Sequence, residues 1–418
     1  MANLFTPRPG PLNSGAQNFG KKISLISLLI LISSIGHSTV SAAATSVDAV
    51  LEKGDSSVTT CAMDKDCSEV KGLGRVYQPG LRPDGSELPT WDWASLGLSN
   101  ENLHVNHIAV GFAPGFRESR APNTPEMINR RLPKPMAIVG DYYSLRWSDL
   151  KMKNLDYRLA EIKRLKGRPV WSIALMPQDG LDMITWDVAH KVALKMKQIN
   201  DQGVKVWLRF GHEMNGDWDK WGMNPRKFVQ KWRILAKAVK STTSGTYMLW
   251  SPNAMFGRSV HDVHGGYTPY WPGADVVDIA GISFYHWGDN SRRVNIAPTP
   301  QEAVQKLKDF STLYGPGGWG KPIVVAETAA SYTYDRGTRT PVKGGASEYK
   351  IKLTWLHLLL DKYIKQTIPG LRAITWFEVI KDENATGKTP VKTEDFRLVL
   401  GNPRVGAAAN AFFTNLQH

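Results

Sequence analysis

Short apolar runs alternate with amphipathic stretches from about residue 105 to the C-terminus. Eight of these runs have the length and the β-branched or aromatic content of buried strands. They cover residues 105–113, 136–139, 170–176, 204–210, 246–250, 276–284, 323–326 and 373–377. Continuous apolar strands of this kind are typical of a parallel sheet that is covered on both faces.

Helical periodicity is clear between several of the strands. Residues 225–240 place five apolar side chains on one helix face, and Thr299-Pro300-Gln301-Glu302 has the pattern of a capping box with proline at the first helical position. The helix that opens there is predicted to bury Val304, Leu307 and Phe310. The face of the earlier helix consists of Phe228, Trp232, Leu235, Ala236 and Val239.

Eight alternating strand and helix units favour a closed (β/α)8 TIM barrel over an open doubly wound sheet. We assign the barrel, as a catalytic domain, to residues 101–418. Residues 43–100 are polar and turn-rich, which predicts a linker or wrap segment to which the sequence assigns no function. Residues 1–42 are predicted to be a signal peptide.

The N-terminal segment has the layout of a secretory leader. Lys21 and Lys22 precede the apolar stretch 23–35, and small residues follow at 40–44. An uncleaved signal anchor is the alternative, because the stretch before the lysines is long. Cys61 and Cys67 are the only cysteines, which predicts one disulfide in a secreted protein. We expect an extracellular monomer without a membrane span in its mature form.

The composition narrows the class of partner. The net charge is +14, but no run of five or more basic residues and no basic helix interleaved with aromatics occurs, so nucleic acid is not an expected partner. The chain has 15 Trp, 13 Tyr and 13 Phe. Many of these rings belong in the core, but such a number also suits a protein that stacks aromatic faces on sugar rings.

Two acidic residues stand where predicted strands end. Glu213 follows the fourth strand, in the string His212 to Trp218, and Glu327 ends the seventh. Catalytic groups of TIM barrels lie at the carboxyl ends of the strands. Retaining glycoside hydrolysis uses two carboxyl groups about 5–5.5 Å apart, of which one protonates the leaving oxygen and the other attacks the anomeric carbon. The pair therefore predicts a glycosidase.

Three other catalytic motifs fail. The HExxH zinc pattern begins at His212 but has Gly216 at its last position. Residues 315–320 match GxGxxG, yet they precede a strand, so we interpret them as a turn. No GxSxG nucleophile elbow occurs. No metal ion and no cofactor are expected.

The string HEMNGDWDKWG, from His212 to Gly222, resembles the acid/base motif of glycoside hydrolase family 26. Its members are mainly β-mannanases, with some β-1,3-xylanases and mixed-linkage glucanases. The resemblance covers roughly residues 101–418 and implies a clan A barrel. It further implies that Glu213 is the general acid/base, that His212 orients it and that Glu327 is the nucleophile.

Family members also place a Tyr after strand six that hydrogen-bonds the nucleophile, and a Trp on strand eight that floors the reacting subsite. The matching residues here are Tyr285 and Trp376. The nucleophile in the family is usually followed by Phe-Gly, whereas Thr328 and Ala329 follow Glu327. This departure bears on the shape of the adjoining subsite.

Four further residues have two interpretations each. Trp218 and Trp221 either stack on sugar rings or pack the loop, and Asn215 is a hydrogen-bonding partner for a substrate hydroxyl or for Glu213. Arg209 either keeps Glu327 ionised or forms a merely structural ion pair.

The sequence thus predicts a secreted retaining hydrolase of β-linked polysaccharide, with endo-β-1,4-mannanase activity as the first expectation. A β-1,3-xylanase, a mixed-linkage glucanase or a β-1,3-glucanase of the same family is the alternative within this class. A catalytically silent carbohydrate-binding barrel is the alternative from another class, and the presence of both acids argues against it.

Overall fold

The computed structural model describes residues 92–116, 123–288, 294–342, 344–383 and 392–416. The predicted leader (1–42) and both cysteines lie outside the described residues. Those interpretations stay predictions.

Eight parallel strands form a closed barrel. In strand order they are β2, β3, β4, β5, β6, β7, β8 and β10, and a pairing between β2 and β3 closes the ring. The short β1 pairs antiparallel to β2. The barrel strands are β2 (Ile108–Pro114), β3 (Ile138–Leu145), β4 (Val170–Pro177), β5 (Val206–Phe210), β6 (Thr246–Trp250), β7 (Ile279–Ser283), β8 (Ile323–Thr328) and β10 (Leu371–Glu378), and β1 is His104–Val105. The predicted TIM barrel is confirmed.

Helices cover the outside of the barrel, except between β6 and β7, where the described chain forms a 3-10 turn at Thr268–Tyr270. The helices are α1 (Pro125–Asn129), α2 (Lys153–Lys163), α3 (Trp186–Asp201), α4 (Pro225–Thr242), α5 (Pro300–Tyr314), α6 (Glu348–Leu360), α7 (Lys362–Thr367) and α8 (Pro403–Asn415). The predicted face of α4 is buried. The capping box of α5 is also confirmed, because the Thr299 hydroxyl accepts from Glu302 N, and the Glu302 carboxylate accepts from the Thr299 backbone. Of the predicted α5 face, Leu307 and Phe310 are buried and Val304 is partly buried.

Two strand boundaries differ from the prediction for local reasons. The first predicted strand is broken at Asn106 and His107, whose positive φ angles of 49° and 62° form a turn between β1 and β2. The second was predicted to cover residues 136–139, but β3 begins at Ile138 and continues through Asp141 to Leu145. Arg158 of α2 pairs with the buried Asp141 and offsets the cost of its charge.

The segment before the barrel closes its N-terminal end. Ala94–Leu96 form a 3-10 turn, and Leu96 and Leu98 pack with inward-facing strand residues such as Val324. The indole of Trp207, on β5, donates to Leu96 O at 2.8 Å. The last residues of the predicted linker are therefore part of the packed core.

A small antiparallel sheet lies beside the barrel strands β8 and β10. It consists of β9 (Tyr332–Asp335), β11 (Ile380–Glu383) and β12 (Lys392–Asp395), in the order β11-β12-β9. Phe396, directly after β12, packs against aromatic rings at the ends of the barrel strands. Among the described helices, none is both long and apolar enough to cross a lipid bilayer.

Candidate active site

Residues 211–224 connect β5 to α4 and carry Glu213, and we call them the acid loop. The backbone of this loop is unusual. Gly211 and Glu213 both have left-handed φ angles, 52° and 55°. This region is unfavourable for a glutamate and is found preferentially where a function constrains the chain. The Glu213 N–H donates to Ser251 O at 2.8 Å, and its carbonyl accepts from Gly216 N at 3.0 Å. Glu213 is thereby fixed at the C-terminal end of the barrel.

The two tryptophans of the acid loop have different surroundings. The indole of Trp218 donates to Glu213 Oε2 at 3.0 Å, and its ring is partly exposed. Trp221 is fully buried, and its indole donates to His212 O at 2.7 Å. The structure therefore gives Trp221 the loop-packing role, whereas Trp218 contacts the acid and retains a surface.

Asn215 does not contact Glu213 in the described structure, contrary to one of its two interpretations. It is fully buried, its side-chain amide donates to Asn253 O, and its side-chain oxygen accepts from Asn253 N, both at 2.9 Å. Such a reciprocal pair leaves it little capacity for a sugar hydroxyl. Asn215 ties the acid loop to the loop that follows β6.

The family resemblance implies that His212 orients Glu213, but the described structure shows no hydrogen bond between the two side chains. Its ring lies between Tyr142 and Trp221, with ring-centroid distances of 5.9 and 5.7 Å. The buried Nδ1 atom has no hydrogen-bond partner among the described residues. Burial and the positive charge of Arg209 lower the pKa of His212 to about 3, so the ring is neutral. His212 supports the loop by packing, whereas the Trp218 indole donates a hydrogen bond to Glu213.

Glu327 lies at the end of β8 and is held from two directions. Arg209 Nη1 donates to Glu327 Oε2 in a buried ion pair, and the Tyr285 hydroxyl donates to Glu327 Oε1 at 2.5 Å. Tyr285 thus occupies the place that the family resemblance implies. Arg209 also donates through Nε to Ser251 Oγ at 2.9 Å and through Nη2 to Ser283 Oγ, which fixes the orientation of its guanidinium.

The environments of the two acids shift their pKa values in opposite directions. Burial raises the pKa of Glu213 to about 7, and the negative charge of Glu327 adds to this effect. Burial would also raise the pKa of Glu327, but the opposing charge of Arg209 and the hydrogen bonds from Tyr285 and Arg209 lower it to about 2. One carboxyl group is therefore protonated and the other ionised near neutral pH, which is the arrangement that acid and nucleophile roles require.

Thr328 faces away from the cleft. It is fully buried, its hydroxyl donates to Phe284 O at 2.5 Å, and it accepts from the Trp355 indole at 2.9 Å. The departure from Phe-Gly after the nucleophile therefore changes how β8 is held against β7 and α6.

Trp376 does not floor the site, and this prediction is wrong for the described structure. It is fully buried, and its indole donates to Phe396 O at 2.8 Å. Successive strand residues point to opposite faces, so its neighbour Phe377 faces the site instead. The Phe377 ring packs on Tyr142 and Tyr285, with ring centroids at 6.2 and 6.1 Å.

Sequence reasoning missed two aromatic residues beside Glu327. Tyr142 forms a hydrogen bond to Glu327, and burial together with that negative charge raises the pKa of Tyr142 well above its ordinary value. Trp287 stacks on Tyr285 at 5.1 Å with 42% of its surface exposed. Tyr142 was missed because its strand was predicted too short. Trp287 could have been proposed from the sequence, because it stands two residues after Tyr285, which the family resemblance had already placed at the site.

The fold and the site define a (β/α)8 barrel that presents two carboxyl groups with opposed pKa shifts at the C-terminal ends of its strands. The model for glycosyl hydrolase family 26 matches residues 178–334, a segment that includes Glu213 and Glu327. Across this segment, the chain is similar to glycosyl hydrolase family 26.

Curated relatives match a shorter stretch. The chain is 28% identical over 109 residues to mannan endo-1,4-beta-mannosidase A and B of Caldalkalibacillus mannanilyticus, which covers 24% of this chain and 20% of that protein. It is 29% identical over 106 residues to a mannan endo-1,4-beta-mannosidase of Bacillus subtilis, or 23% of this chain and 27% of that protein. The alignments thus span a fifth to about a quarter of these relatives.

Solved structures align over more of the chain at lower identity. A modular endo-beta-1,4-mannanase from Cellulomonas fimi has a TM-score of 0.49 and 13% identity, and the alignment covers 77% of this chain and 76% of that one. The catalytic domain of a family 26 endo-beta-1,4-mannanase from a Bacillus species has a TM-score of 0.49 and 16% identity, covering 77% and 88%.

Proposed function

We propose that this protein is a retaining glycoside hydrolase that cleaves β-linked polysaccharide. The observation that carries the proposal is that the two acids have opposed pKa shifts: desolvation raises the pKa of Glu213, and Arg209 and Tyr285 keep Glu327 ionised. A buried charge costs free energy even when it is paired, because both ions lose their hydration. A catalytically silent binding barrel gains nothing from keeping the Glu327 carboxylate charged at this place.

The proposed reaction has two displacements. The carboxylate of Glu327 attacks the anomeric carbon, and the glycosidic oxygen leaves with the proton of Glu213. Glu213 is then ionised and removes a proton from water, whose oxygen attacks the anomeric carbon and releases Glu327. The pKa of Glu213 is expected to fall between the steps, because bond formation removes the negative charge of Glu327.

Shared contacts between the acids support retention. Arg209 contacts Glu327 through Nη1 and Ser283 Oγ through Nη2, and the Ser283 side chain hydrogen-bonds Glu213. One guanidinium and one hydroxyl therefore connect the two carboxyl groups. Inverting enzymes separate their acids by about 6.5–9.5 Å to admit a water, whereas retaining enzymes use about 5–5.5 Å.

The proposed substrate is β-1,4-mannan, with internal cleavage of the chain. The support is that the aligned relatives are named as mannan endo-1,4-beta-mannosidases and that residues 178–334 match the family model. β-1,3-Xylan, mixed-linkage glucan and β-1,3-glucan are the competing substrates of the same proposal.

A polymer panel tests the proposed function. The full chain is incubated with β-1,4-mannan, β-1,3-xylan, mixed-linkage glucan and β-1,3-glucan, and reducing ends are counted. We expect release from mannan, and none from any polymer with Glu327→Gln, which keeps the size of the side chain but removes the nucleophile. If no polymer releases reducing ends above the Glu327→Gln background, the hydrolase proposal fails. Release from another polymer alone would overturn the substrate.

We also propose that the protein is secreted as a monomer, after cleavage near Ala43 and formation of a disulfide between Cys61 and Cys67. The leader pattern and the two cysteines support this. Intact mass before and after reduction is expected to show loss of residues 1–42 and a gain of two hydrogens. A product that retains Met1, or one with two free thiols, would contradict it. Light scattering measures the oligomeric state.

A further inference from the structure

We propose a second glycan-binding site on the surface of the barrel opposite its catalytic end, formed by Trp319, Trp271 and the ion pair of Arg233 with Asp275. We call these four residues the surface aromatic patch. Its ligand class is the β-linked polysaccharide of the proposed function, on which this inference rests. The patch would hold the polymer while the cleft at the other end cleaves it.

Trp319 is presented by a rigid turn. The turn consists of residues 315–320, which match GxGxxG in the sequence. Trp319 N donates to Leu313 O at 3.1 Å, and Gly320 N donates to Gly315 O at 2.9 Å, so the turn is tied to the end of α5. The side chain of Trp319 is 56% exposed. Apart from the glycine itself and its two chain neighbours, no described atom lies within 4 Å of the place where a Cβ of Gly317 or Gly320 would stand, so the turn is open on these sides.

Trp271 supports the exposed ring from below. The two indole centroids are 5.9 Å apart with planes tilted by 34°, which makes a stepped aromatic surface. Trp271 in turn contacts Tyr314 at 4.7 Å and Trp250 at 4.9 Å, and Trp250 is buried in the core. Because these rings are already packed, little side-chain entropy is lost when a ligand stacks on the patch.

Polar groups that suit sugar hydroxyls lie at the edge of this surface. Arg233 Nη1 donates at 2.7 Å to the carbonyl of Pro272, the residue after Trp271. Arg233 also pairs with Asp275 through two bonds of 3.0 and 2.7 Å, and both side chains are exposed. An aromatic face beside planar hydrogen-bonding groups matches the two surfaces of a sugar, whose C–H face is apolar and whose hydroxyls both donate and accept.

The patch is separate from the catalytic site. Trp319 precedes β8, whereas Glu327 lies near the end of that strand. A parallel barrel strand runs from the N-terminal face to the catalytic face. A chain bound at the patch is therefore outside the cleft.

Tyr363 provides a matched control. It lies on α7, which precedes β10, so it is also near the N-terminal face of the barrel. Its side chain is 59% exposed, comparable to Trp319. In the described part of the chain it has no aromatic neighbour of the kind that Trp271 provides to Trp319. If binding depends on the surface aromatic patch, Trp319→Ala should therefore weaken it and Tyr363→Ala should not.

Affinity electrophoresis of the full chain tests the proposal, in native gels that contain soluble galactomannan or, for comparison, laminarin. Every protein carries Glu327→Gln, so that the polymer is not cut and the contribution of the cleft is constant. We expect Trp319→Ala to weaken galactomannan binding about three- to tenfold, or about 0.7–1.4 kcal/mol, because it removes the exposed ring on which the sugar stacks. We expect Trp319→Phe to weaken it less, and Tyr363→Ala to leave the dissociation constant unchanged.

The outcomes separate this proposal from the proposed function. Equal retardation of the Trp319→Ala and Tyr363→Ala proteins would overturn the patch, with unfolding profiles confirming that both are folded. Absence of retardation of every variant, while the unaltered chain releases reducing ends from mannan, would also overturn it. Retardation that depends on Trp319, in a chain that hydrolyses none of the polymers, would support the patch and reject the hydrolase.

Discussion

Arg209 and Glu327 form an ion pair in which both side chains are buried, at the C-terminal end of the barrel. Arg209 is on β5, two residues before Gly211, and Glu327 is on β8, so the pair joins the strand that precedes the acid loop to the strand that carries the proposed nucleophile. The positive charge of Arg209 lowers the pKa of Glu327 and so keeps one of the two acids ionised.

The first prediction separates the roles of the two acids. On an aryl glycoside with a good leaving group, Glu213→Ala should retain formation of the glycosyl-enzyme, because that leaving group needs no proton. Azide should then accelerate turnover, since it attacks the anomeric carbon without a base. Glu327→Ala should be inactive on the same substrate. Steady-state kinetics with and without azide measure this, and a Glu213→Ala protein as inactive as Glu327→Ala would refute the assignment.

The second prediction concerns pH. The raised pKa of Glu213, about 7, means that its acid form is lost as the pH rises through neutrality, so kcat/KM should fall on the alkaline side with an apparent pKa near that value. The lowered pKa of Glu327, about 2, means that its ionised form persists to strongly acidic pH. Glu213→Gln should remove the alkaline limb on an activated substrate. An alkaline limb that survives this change belongs to another group.

The third prediction uses the buried pair itself. Arg209→Met should lower the free energy of unfolding by about 3–5 kcal/mol, because it leaves the buried carboxylate unpaired. Adding Glu327→Gln should recover a large part of this loss, since no buried charge then remains. Denaturant unfolding of the two single variants and the double variant measures the coupling. Effects that add within about 0.5 kcal/mol would show that the residues do not interact.

The sequence predicted the barrel because its strands are buried on both faces and therefore appear as continuous apolar runs. It also located both acids, because each directly follows such a run. Trp376 was chosen from the family resemblance. The apolar pattern could not correct this choice, because it does not show which residues of a continuously apolar strand face the site, and Phe377 faces it instead. Asn215 and His212 are held by packing and loop contacts that form only in the folded protein, so the residue types alone did not reveal their partners.

The fourth prediction tests the hydrogen bond from Tyr285 to Glu327. Tyr285→Phe removes one donor to a buried charge, a contact worth about 1.5–3 kcal/mol, so kcat should fall roughly tenfold to hundredfold. Tyr143→Phe is the control. The Tyr143 hydroxyl also donates to a carboxylate at 2.5 Å, that of Asp149, but Tyr143 lies on the face of β3 opposite to Tyr142 and therefore away from Glu327. Similar losses in both variants would indicate a general effect on the fold.

The central claim is that Glu327 attacks the anomeric carbon and that Glu213 serves first as acid and then as base. Two inversions at the same carbon restore its starting configuration. Proton NMR of the products during the first minutes of hydrolysis, before mutarotation, measures this most directly. We expect the β-anomer to appear first, whereas initial release of the α-anomer would show inversion and exclude Glu327 as the nucleophile.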